Sequence, residues 1–308
     1  MSFQDKIVLL TGGSSGIGAA IAIKFAEEGA KVAIVGRNKQ KLENVAKQCN
    51  NPLVIVADVS KDADVKRIVT ETLNKFGKLD ILINNAGIAQ SASIVADHAM
   101  AVFDQVMATN LRSVVYLTHL AAPHIVKTKG NIINISSIAA LRALAEGTFS
   151  YCTSKAGLDH FSRSVAQELA PHGTKGNIIN ISSVAALKVL GEATFAYNTS
   201  KAGLDHFTRS IAQELAASGV RANIVSPGPV QTDFVENMGV PAAATDAFFE
   251  KVQNMTALKR FSVAEEIADL VLFLASDKAR AITGSVFVSD NGTLLKVADS
   301  ENFSSLNN

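Results

Sequence analysis

The sequence alternates short apolar runs, rich in β-branched residues, with longer amphipathic stretches. Such runs are typical of strands buried on both faces, and stretches of this length suit the helices that connect parallel strands. The predicted strands are Ile7–Leu10, Val32–Val35, Leu53–Val56, Ile81–Ile83, Ile132–Ile135, Ala222–Val225 and Ser285–Ser289. The predicted helices include Gly18–Glu28, Asn38–Gln48, Ala63–Phe76, Ala101–Val126 and Ala264–Ala275. Strict alternation predicts an α/β fold with a doubly wound parallel sheet.

One segment of the chain occurs twice. Residues 129–174 recur as residues 175–220, and an ungapped alignment leaves only 12 of the 46 positions different. This similarity indicates a tandem duplication, and two copies are too few for a stacked repeat array. The 308 residues less one 46-residue copy leave 262, a size that one core accommodates. We therefore predict a single domain over residues 1–297 with a solvated tail at 298–308.

Charge and hydropathy exclude several classes of function. The chain has 29 Lys and Arg against 28 Asp and Glu, and it has no basic stripe with interleaved aromatic residues. This near-neutral balance argues against nucleic-acid binding. No apolar run reaches the roughly 18 residues of a membrane span. The first strand begins too close to Met1 for a secretory signal, so a cytoplasmic protein without a membrane partner is expected.

The cysteines and histidines show no metal-binding pattern. Cys49 and Cys152 are far apart and are expected to be reduced thiols in the cytosol. His119 and His124 are five residues apart and do not share a helix face, while His160 and His206 occupy equivalent repeat positions without a second ligand one turn away. No metal site is predicted.

A glycine-rich segment follows the first predicted strand and opens the first helix. Glycines permit a tight turn and close backbone approach, and a helix N-terminus presents free N–H groups to a pyrophosphate. This context predicts a Rossmann-like nucleotide site, the alternative being a purely structural turn. The candidate residues are Gly12, Ser14, Ser15, Gly16, Ile17 and Gly18.

The end of the second strand bears on the choice of cofactor. An NAD site usually has an acidic residue here, whereas an arginine accommodates the 2′-phosphate of NADP. The sequence has Gly36 followed by Arg37, which favours NADP over NAD, although Arg37 is alternatively a solvated loop cation. After the third strand, Asp58 and Val59 are candidates to border the adenine, and Asp58 is equally suited to a helix cap or turn.

Several motifs together resemble the short-chain dehydrogenase/reductase family over about residues 5–295. They are the Thr11–Gly18 segment, the Asn84–Gly87 segment after the fourth strand, Asn110, a Tyr-x-x-x-Lys motif in each copy, and Pro227–Gly228. The resemblance implies that the cofactor also contacts Asn85, Ala86 and Gly87. Pro227, Gly228 and Thr232 would border the nicotinamide, with a turn as the alternative.

The Tyr-x-x-x-Lys spacing has a chemical rationale of its own. Tyr151 and Lys155, like Tyr197 and Lys201, are four residues apart and so share one helix face. A cation beside a tyrosine stabilises the phenolate, which makes the tyrosine a usable proton donor or acceptor. The resemblance adds that the lysine holds the nicotinamide ribose, that Ser137 or Ser183 binds the substrate oxygen, and that Asn110 supports a proton relay. Each serine alternatively caps a helix.

Only one copy of the repeat can serve a single cofactor site. Two copies side by side in the sheet would move the Pro227–Gly228 loop by about one strand spacing, roughly 5 Å. We therefore expect one copy in the sheet and the other as an insertion. The first copy directly follows the Asn110 helix and is favoured, while the second has the shorter route to Pro227. Alternatively, the repeat joins two alternative coding segments.

The predicted function is the NADP(H)-dependent interconversion of a carbonyl and a secondary alcohol. Residues 234–261 contain several large apolar side chains and are interpreted as a cover over a largely apolar substrate of small to medium size, or else as core. The alternatives are an NADP-binding protein whose repeat has disabled catalysis, and an epimerase or dehydratase. The resemblance implies a homotetramer or homodimer packed through the helices that carry tyrosine and lysine.

Overall fold

The computed structural model describes residues 3–136, 140, 147–172, 177–189, 195–217, 219–230 and 253–295, without the side chains of residues 170, 195–197 and 200. The strands are β1 (Ile7–Thr11), β2 (Lys31–Gly36), β3 (Leu53–Val56), β4 (Ile81–Asn84), β5 (Asn131–Asn134), β6 (Asn177–Ile181), β7 (Arg221–Pro227) and β8 (Val286–Ser289). The α-helices are α1 (Gly16–Glu27), α2 (Lys39–Ala46), α3 (Asp62–Phe76), α4 (Ala99–Met107), α5 (Ser113–Thr128), α6 (Phe149–Leu169), α7 (Phe195–Ala216) and α8 (Ala264–Ala275).

All strand pairs are parallel, and the predicted α/β fold is confirmed. The strands form a five-stranded sheet in the order β3-β2-β1-β4-β5 and a three-stranded sheet in the order β6-β7-β8. The order reverses between β1 and β4. Parallel strands present their carboxyl ends at one edge of a sheet, and the crevice at such a reversal is where ligands bind in open α/β folds.

Both copies of the repeat contribute a strand, so the expectation that one copy lies outside the sheet is wrong. In the first copy β5 pairs with β4, and in the second copy β6 pairs with β7. The physical reason lies in the strand sequences. Residues 129–137 and 175–183 are identical, and Ile133 and Ile179 are both fully buried. Exclusion of either strand from the sheet would expose its apolar residues to water.

A seam separates the two copies. β5 and β6 are neighbours, yet among the described residues no backbone hydrogen bond joins them. Asn131 N donates to Asp80 O on the β4 side, and Ser182 N donates to Val225 O on the β7 side. Each copy thus satisfies one strand edge and leaves its other edge facing the seam.

The hydrophobic core and one helix connect the two sheets across this seam. A single cluster of buried side chains includes Ile133 of β5, Ile179 of β6 and Val225 of β7 together with α1 and α8. Equivalent asparagines of the two copies bind neighbouring carbonyls at the end of α8: Asn131 Nδ2 donates to Ala275 O at 3.3 Å and Asn177 Nδ2 donates to Leu274 O at 2.8 Å.

One predicted helix is interrupted in a way that concerns the candidate site. The stretch predicted as a helix over 101–126 consists of α4 and α5 joined by a π-helical turn at Ala108–Arg112. π turns inside helices are rare and often mark functional positions. This turn contains Asn110. Among the described residues no helix is both long and apolar enough to span a membrane.

Candidate active site

The glycine-rich loop after β1 is tightly packed against the end of β4. Asn85 Nδ2 donates to the carbonyl oxygens of Thr11 and Gly12, each at 3.1 Å. Thr11 Oγ1 accepts from the backbone N–H groups of Asn85 and Ala86. Gly12 has a φ of +70°, and a Cβ there would lie 2.7 Å from Asn85 Nδ2. Only glycine fits this position, because any side chain would clash with the amide that joins the two strand ends.

A cleft of about 440 Å³ opens at this edge of the sheet. Twelve of the predicted cofactor residues line it: Gly12, Ser14, Ser15, Gly16, Ile17, Gly18, Arg37, Asp58, Val59, Asn85, Ala86 and Gly87. Val35, Gly36, Ala57, Ile88 and Thr109 also line it and were not predicted individually. The volume lies within the usual range for cofactor and ligand sites, and the absence of a side chain at the loop glycines leaves room for a pyrophosphate.

Asp58 supports a turn, while its backbone borders the cleft. Its Oδ1 accepts hydrogen bonds from the N–H and the hydroxyl of Ser60, at 3.0 and 2.8 Å. Its own N–H donates to Asp64 Oδ2 at 2.8 Å. Asp64 also bonds Arg67, and these hydrogen bonds lower the pKa of the Asp64 carboxyl. The carboxylate of Asp58 therefore forms hydrogen bonds within its own loop, which supports the alternative that Asp58 is a turn residue.

The π turn directs the side chain of Asn110 toward the loop after β4. Asn110 is buried; its Oδ1 accepts from Ile88 N at 2.8 Å, and its Nδ2 donates to Ile88 O at 2.8 Å. The same Nδ2 donates to Ser154 Oγ at 3.2 Å, and Ser154 Oγ donates to Tyr151 O at 2.7 Å. Asn110 thereby links the rim of the cleft to the helix that carries Tyr151 and Lys155.

Lys155 of the first copy lies behind Gly87 in the wall of the cleft. A Cβ at Gly87, which lines the cleft, would lie 3.8 Å from Lys155 Nζ and 3.5 Å from Asn110 Oδ1. Lys155 Nζ donates to Ile135 O at 2.8 Å and lies 5.8 Å from the centroid of the Tyr151 ring. Burial lowers the pKa of Lys155 to about 8, and the nearby Asp159 opposes this shift. The arrangement places a cation beside the tyrosine at the edge of the cleft.

The second copy repeats much of this internal structure at a different place in the fold. Lys201 is buried, and its Nζ donates to Ile181 O at 3.2 Å, as Lys155 does to Ile135 O. Asn180 Nδ2 bonds Thr208 Oγ1, as Asn134 Nδ2 bonds Ser162 Oγ. Its strand, however, pairs with β7, whereas the strand of the first copy pairs with β4, which leads to the cleft residues Asn85–Gly87.

One position that differs between the copies favours the first copy at the site. Gly147 has a φ of +79°, its carbonyl accepts from Ala92 N at 2.9 Å, and a Cβ there would lie 3.2 Å from the carbonyl carbon of Ala92. The equivalent residue of the second copy is Ala193. Alanine is strained at a positive φ and would also press on the Ala92 backbone. The loop after β4 therefore accepts the first copy more readily than the second.

We expect the substitution Gly147→Ala to lower the melting temperature by about 3–6 °C, because a non-glycine residue at this φ costs about 1–2 kcal/mol. Thermal unfolding followed by circular dichroism would measure the change. Ala193→Gly is the matched control, and we expect a smaller change of either sign. A Gly147→Ala protein as stable as the parent would contradict the assignment of this contact.

The other predicted site residues are dispersed or lie outside the described residues. Pro227 ends β7 in the three-stranded sheet, and neither it nor Gly228 is among the residues that line the cleft. Ser183 caps a short 3₁₀ helix, its Oγ accepting from Ala185 N at 3.2 Å, as its alternative interpretation predicted. Ser137, Thr232 and residues 234–252 of the predicted cover lie outside the described residues, as does the side chain of Tyr197.

Sequence reasoning missed Ser136, Ser154 and Asp159, which surround the tyrosine and lysine of the first copy. Asp159 follows Lys155 by four residues, so the helical period could have indicated it. The sequence did not distinguish Ser154 from other helix serines, because its role depends on its hydrogen bond with Asn110. Among the described residues no group of three or more His, Cys, Asp or Glu side chains could hold a metal ion.

Two family models match the chain and divide it near the boundary of the repeat. The model described as short chain dehydrogenase matches residues 6–175, which is more than half of the chain. The model described as enoyl-(acyl carrier protein) reductase matches residues 173–293. The first match ends and the second begins close to Lys175, where the second copy starts.

Two individual proteins are also similar to this chain in sequence. The chain is 39% identical over 171 residues to the 11-beta-hydroxysteroid dehydrogenase-like 2 protein of Arabidopsis thaliana; the match covers 54% of this chain and only about half, 55%, of that relative. It is 28% identical over 302 residues to the 3-oxoacyl-(acyl-carrier-protein) reductase FabG of Thermotoga maritima, covering 96% and 100% of the two chains.

A solved structure is similar over nearly the whole chain. A short-chain dehydrogenase/reductase of unknown function from Caenorhabditis elegans, determined with its cofactor, has a TM-score of 0.65 and 31% sequence identity. The alignment covers 96% of this chain and 97% of that one.

Proposed function

Because the chain belongs to the short-chain dehydrogenase family, whose members are oxidoreductases that use a nicotinamide cofactor, we propose that it interconverts a carbonyl and a secondary alcohol with NADP(H). The observation that carries this proposal is the position of Lys155 and Asn110 beside Gly87 in the wall of the cleft. The substrate we propose is small to medium in size and largely apolar.

The residues present fit a dinucleotide. Gly12 and Gly18 leave no space for side chains within the loop, whereas a Cβ at Gly16 would meet nothing within 4 Å, so this part of the cleft is open. The backbone N–H groups at the start of α1 would hold the pyrophosphate. When bound, the cofactor supplies a hydride to the carbonyl carbon or accepts one from the alcohol.

The first copy of the repeat supplies the proton chemistry in this proposal. Tyr151 donates a proton to the carbonyl oxygen during reduction and accepts one from the alcohol during oxidation. The Lys155 ammonium stabilises the phenolate form, and Asn110 holds the helix of Tyr151 through Ser154. Ser137 would bind the substrate oxygen. We also propose a homo-oligomer in the cytoplasm that binds neither nucleic acid nor membrane.

A second candidate function rests on the position of Pro227. Because Pro227 and Gly228 belong to the sheet of the second copy, the nicotinamide side of the site would lack two of its predicted contacts. In that case the protein binds NADP(H) but reduces a ketone slowly or not at all.

An assay of the purified protein with NADPH and a panel of ketones distinguishes the two functions. Steady NADPH oxidation supports the enzyme, and cofactor binding without oxidation supports the alternative.

Arg37 is expected to determine the preference for NADPH. Arg37 directly follows β2, and both Arg37 and Ser14 line the cleft, which supports the proposal that these two side chains bind a 2′-phosphate. Arg37→Ala should raise the KM for NADPH by about tenfold or more and leave that for NADH nearly unchanged, because only NADPH has this phosphate.

Lys39→Ala is the matched control for net charge, since Lys39 is an exposed α2 cation near Glu43 that does not line the cleft. We expect less than a twofold change in the KM of either cofactor. An equal rise in the KM for NADPH and for NADH in Arg37→Ala would contradict the 2′-phosphate role.

A further inference from the structure

A buried carboxylate lies directly behind Lys155. Asp159 is one turn further along α6, and only 7% of its surface is exposed. Residues four apart share a helix face, so Asp159 and Lys155 both point toward β5. A carboxylate in such a place is costly unless it is hydrogen-bonded or paired with a cation.

The carboxylate joins α6 to the last residues of the first copy's strand segment. Asp159 Oδ1 accepts a hydrogen bond from Ser136 Oγ, and Lys155 Nζ donates to Ile135 O at 2.8 Å. Two side chains of one helix thus hold two consecutive residues, and the next residue of the chain is Ser137. Any shift of α6 relative to this segment would move Tyr151 relative to Ile135 and Ser136.

Three cationic side chains act on the charge of Asp159. Burial raises its pKa to about 6, while its hydrogen bond from Ser136 and the charges of Lys155, Arg163 and Lys201 oppose that rise. Asp159 in turn is the group that opposes the lowering of the Lys155 pKa by burial. The carboxylate of Asp159 and the ammonium of Lys155 therefore each favour the charged form of the other.

We propose that Asp159 is a positioning residue for the catalytic set of the first copy. Its hydrogen bond to Ser136 holds the segment that leads to Ser137, and its negative charge keeps Lys155 protonated beside Tyr151. This inference rests on the proposed function, in which Tyr151, Lys155 and Ser137 carry the reaction. It goes beyond that function by assigning two separable roles to a residue that need not touch the substrate.

The repeat provides matched controls for both roles. Asp205 and Ser182 are the equivalent residues of the second copy, and Asp205 is likewise buried, which raises the pKa of its carboxyl. Asp205 and Ser182 belong to the copy whose strand pairs with β7 and not with β4. The same substitutions in the second copy therefore change a similar buried carboxyl without changing the surroundings of Lys155.

The charge role is tested by Asp159→Asn, which removes the charge but retains an oxygen that can accept from Ser136. Without the carboxylate the pKa of Lys155 falls below its value of about 8, so the ammonium is lost at lower pH. We expect the high-pH limb of kcat/KM for ketone reduction by NADPH to move to lower pH, with a loss of about fivefold or more at pH 8. Asp205→Asn should leave the limb in place.

A second readout does not depend on turnover. The lysine side chains can be titrated by ¹⁵N NMR, and the Lys155 signal is assigned from its absence in Lys155→Met. We expect a lower Lys155 pKa in Asp159→Asn and the parental value in Asp159→Glu.

The anchoring role is tested by Ser136→Ala, which keeps the charge of Asp159. We expect a rise of about threefold or more in the ketone KM without movement of the pH limb, and no such change in Ser182→Ala.

The outcomes separate this inference from the proposed function. If the parent protein oxidises NADPH but Asp159→Asn and Asp205→Asn behave alike, the inference is wrong and the proposed function stands. If the parent shows no turnover, the proposed function fails, and an unchanged Lys155 titration in Asp159→Asn overturns the inference as well. Should Asp159→Asn not fold, an unchanged ketone KM in Ser136→Ala overturns it.

Discussion

Tyr151→Phe is expected to lower kcat for NADPH-dependent ketone reduction by about a hundredfold or more, because a positioned acid or base contributes at least this much. The ring centroid of Tyr151 lies 5.8 Å from Lys155 Nζ, and Lys155 adjoins the cleft at Gly87. NADPH binding, followed by fluorescence, should change little, since the substitution removes only the hydroxyl.

Tyr197→Phe is the matched control in the second copy. The strand of the second copy pairs with β7 and not with β4, whose end forms part of the cleft, so less than a twofold change in kcat is expected. If Tyr197→Phe is the inactive variant and Tyr151→Phe is active, the second copy serves the site and our assignment is wrong. If neither substitution lowers turnover by tenfold, the chain does not use a single tyrosine in this way.

Deletion of residues 175–220 is expected to raise the melting temperature by about 5 °C or more. Five residues of β6 are in register with β7, and the equivalent residues of β5 have the same sequence, so β5 can take this register directly. Pairing of β5 with β7 would replace the lost β6–β7 ladder and remove the two strand edges that now face the seam, and each buried polar group left unpaired there costs about 1–3 kcal/mol. Calorimetry measures the change.

The same deletion should raise turnover, because Pro227 and Gly228 would then follow the strand next to the first copy. Deletion of residues 129–174 is the matched control: it leaves a chain of the same length but retains Ala193 in place of Gly147. We expect that variant to be less stable than the first deletion, owing to the strain of alanine against Ala92. A first deletion that unfolds, or melts below the parent, would show that both copies are needed.

The sequence predicted some residues of the site and left others unidentified. The loop glycines, Arg37, Asn85 and Gly87 follow strand ends in a fixed order, and all of them line one cleft. Asp58 was left open between two roles, and the contacts of its carboxylate with Ser60 decided for the turn. Ser154 gave no signal, because its role depends on Asn110, which is distant in sequence. The helical period could have indicated Asp159, but not its hydrogen bond from Ser136.

The sequence alone determined the parallel α/β fold, because burial on both faces imposes continuous apolar runs on the strands and amphipathic periods on the helices. It also showed that one strand and helix occur twice. Only the tertiary structure decided where each copy lies. Identical strands can pair with β4 or with β7, so the choice depends on contacts outside the strand, such as Gly147 against Ala92. Those contacts join residues far apart in the chain, and no local pattern encodes them.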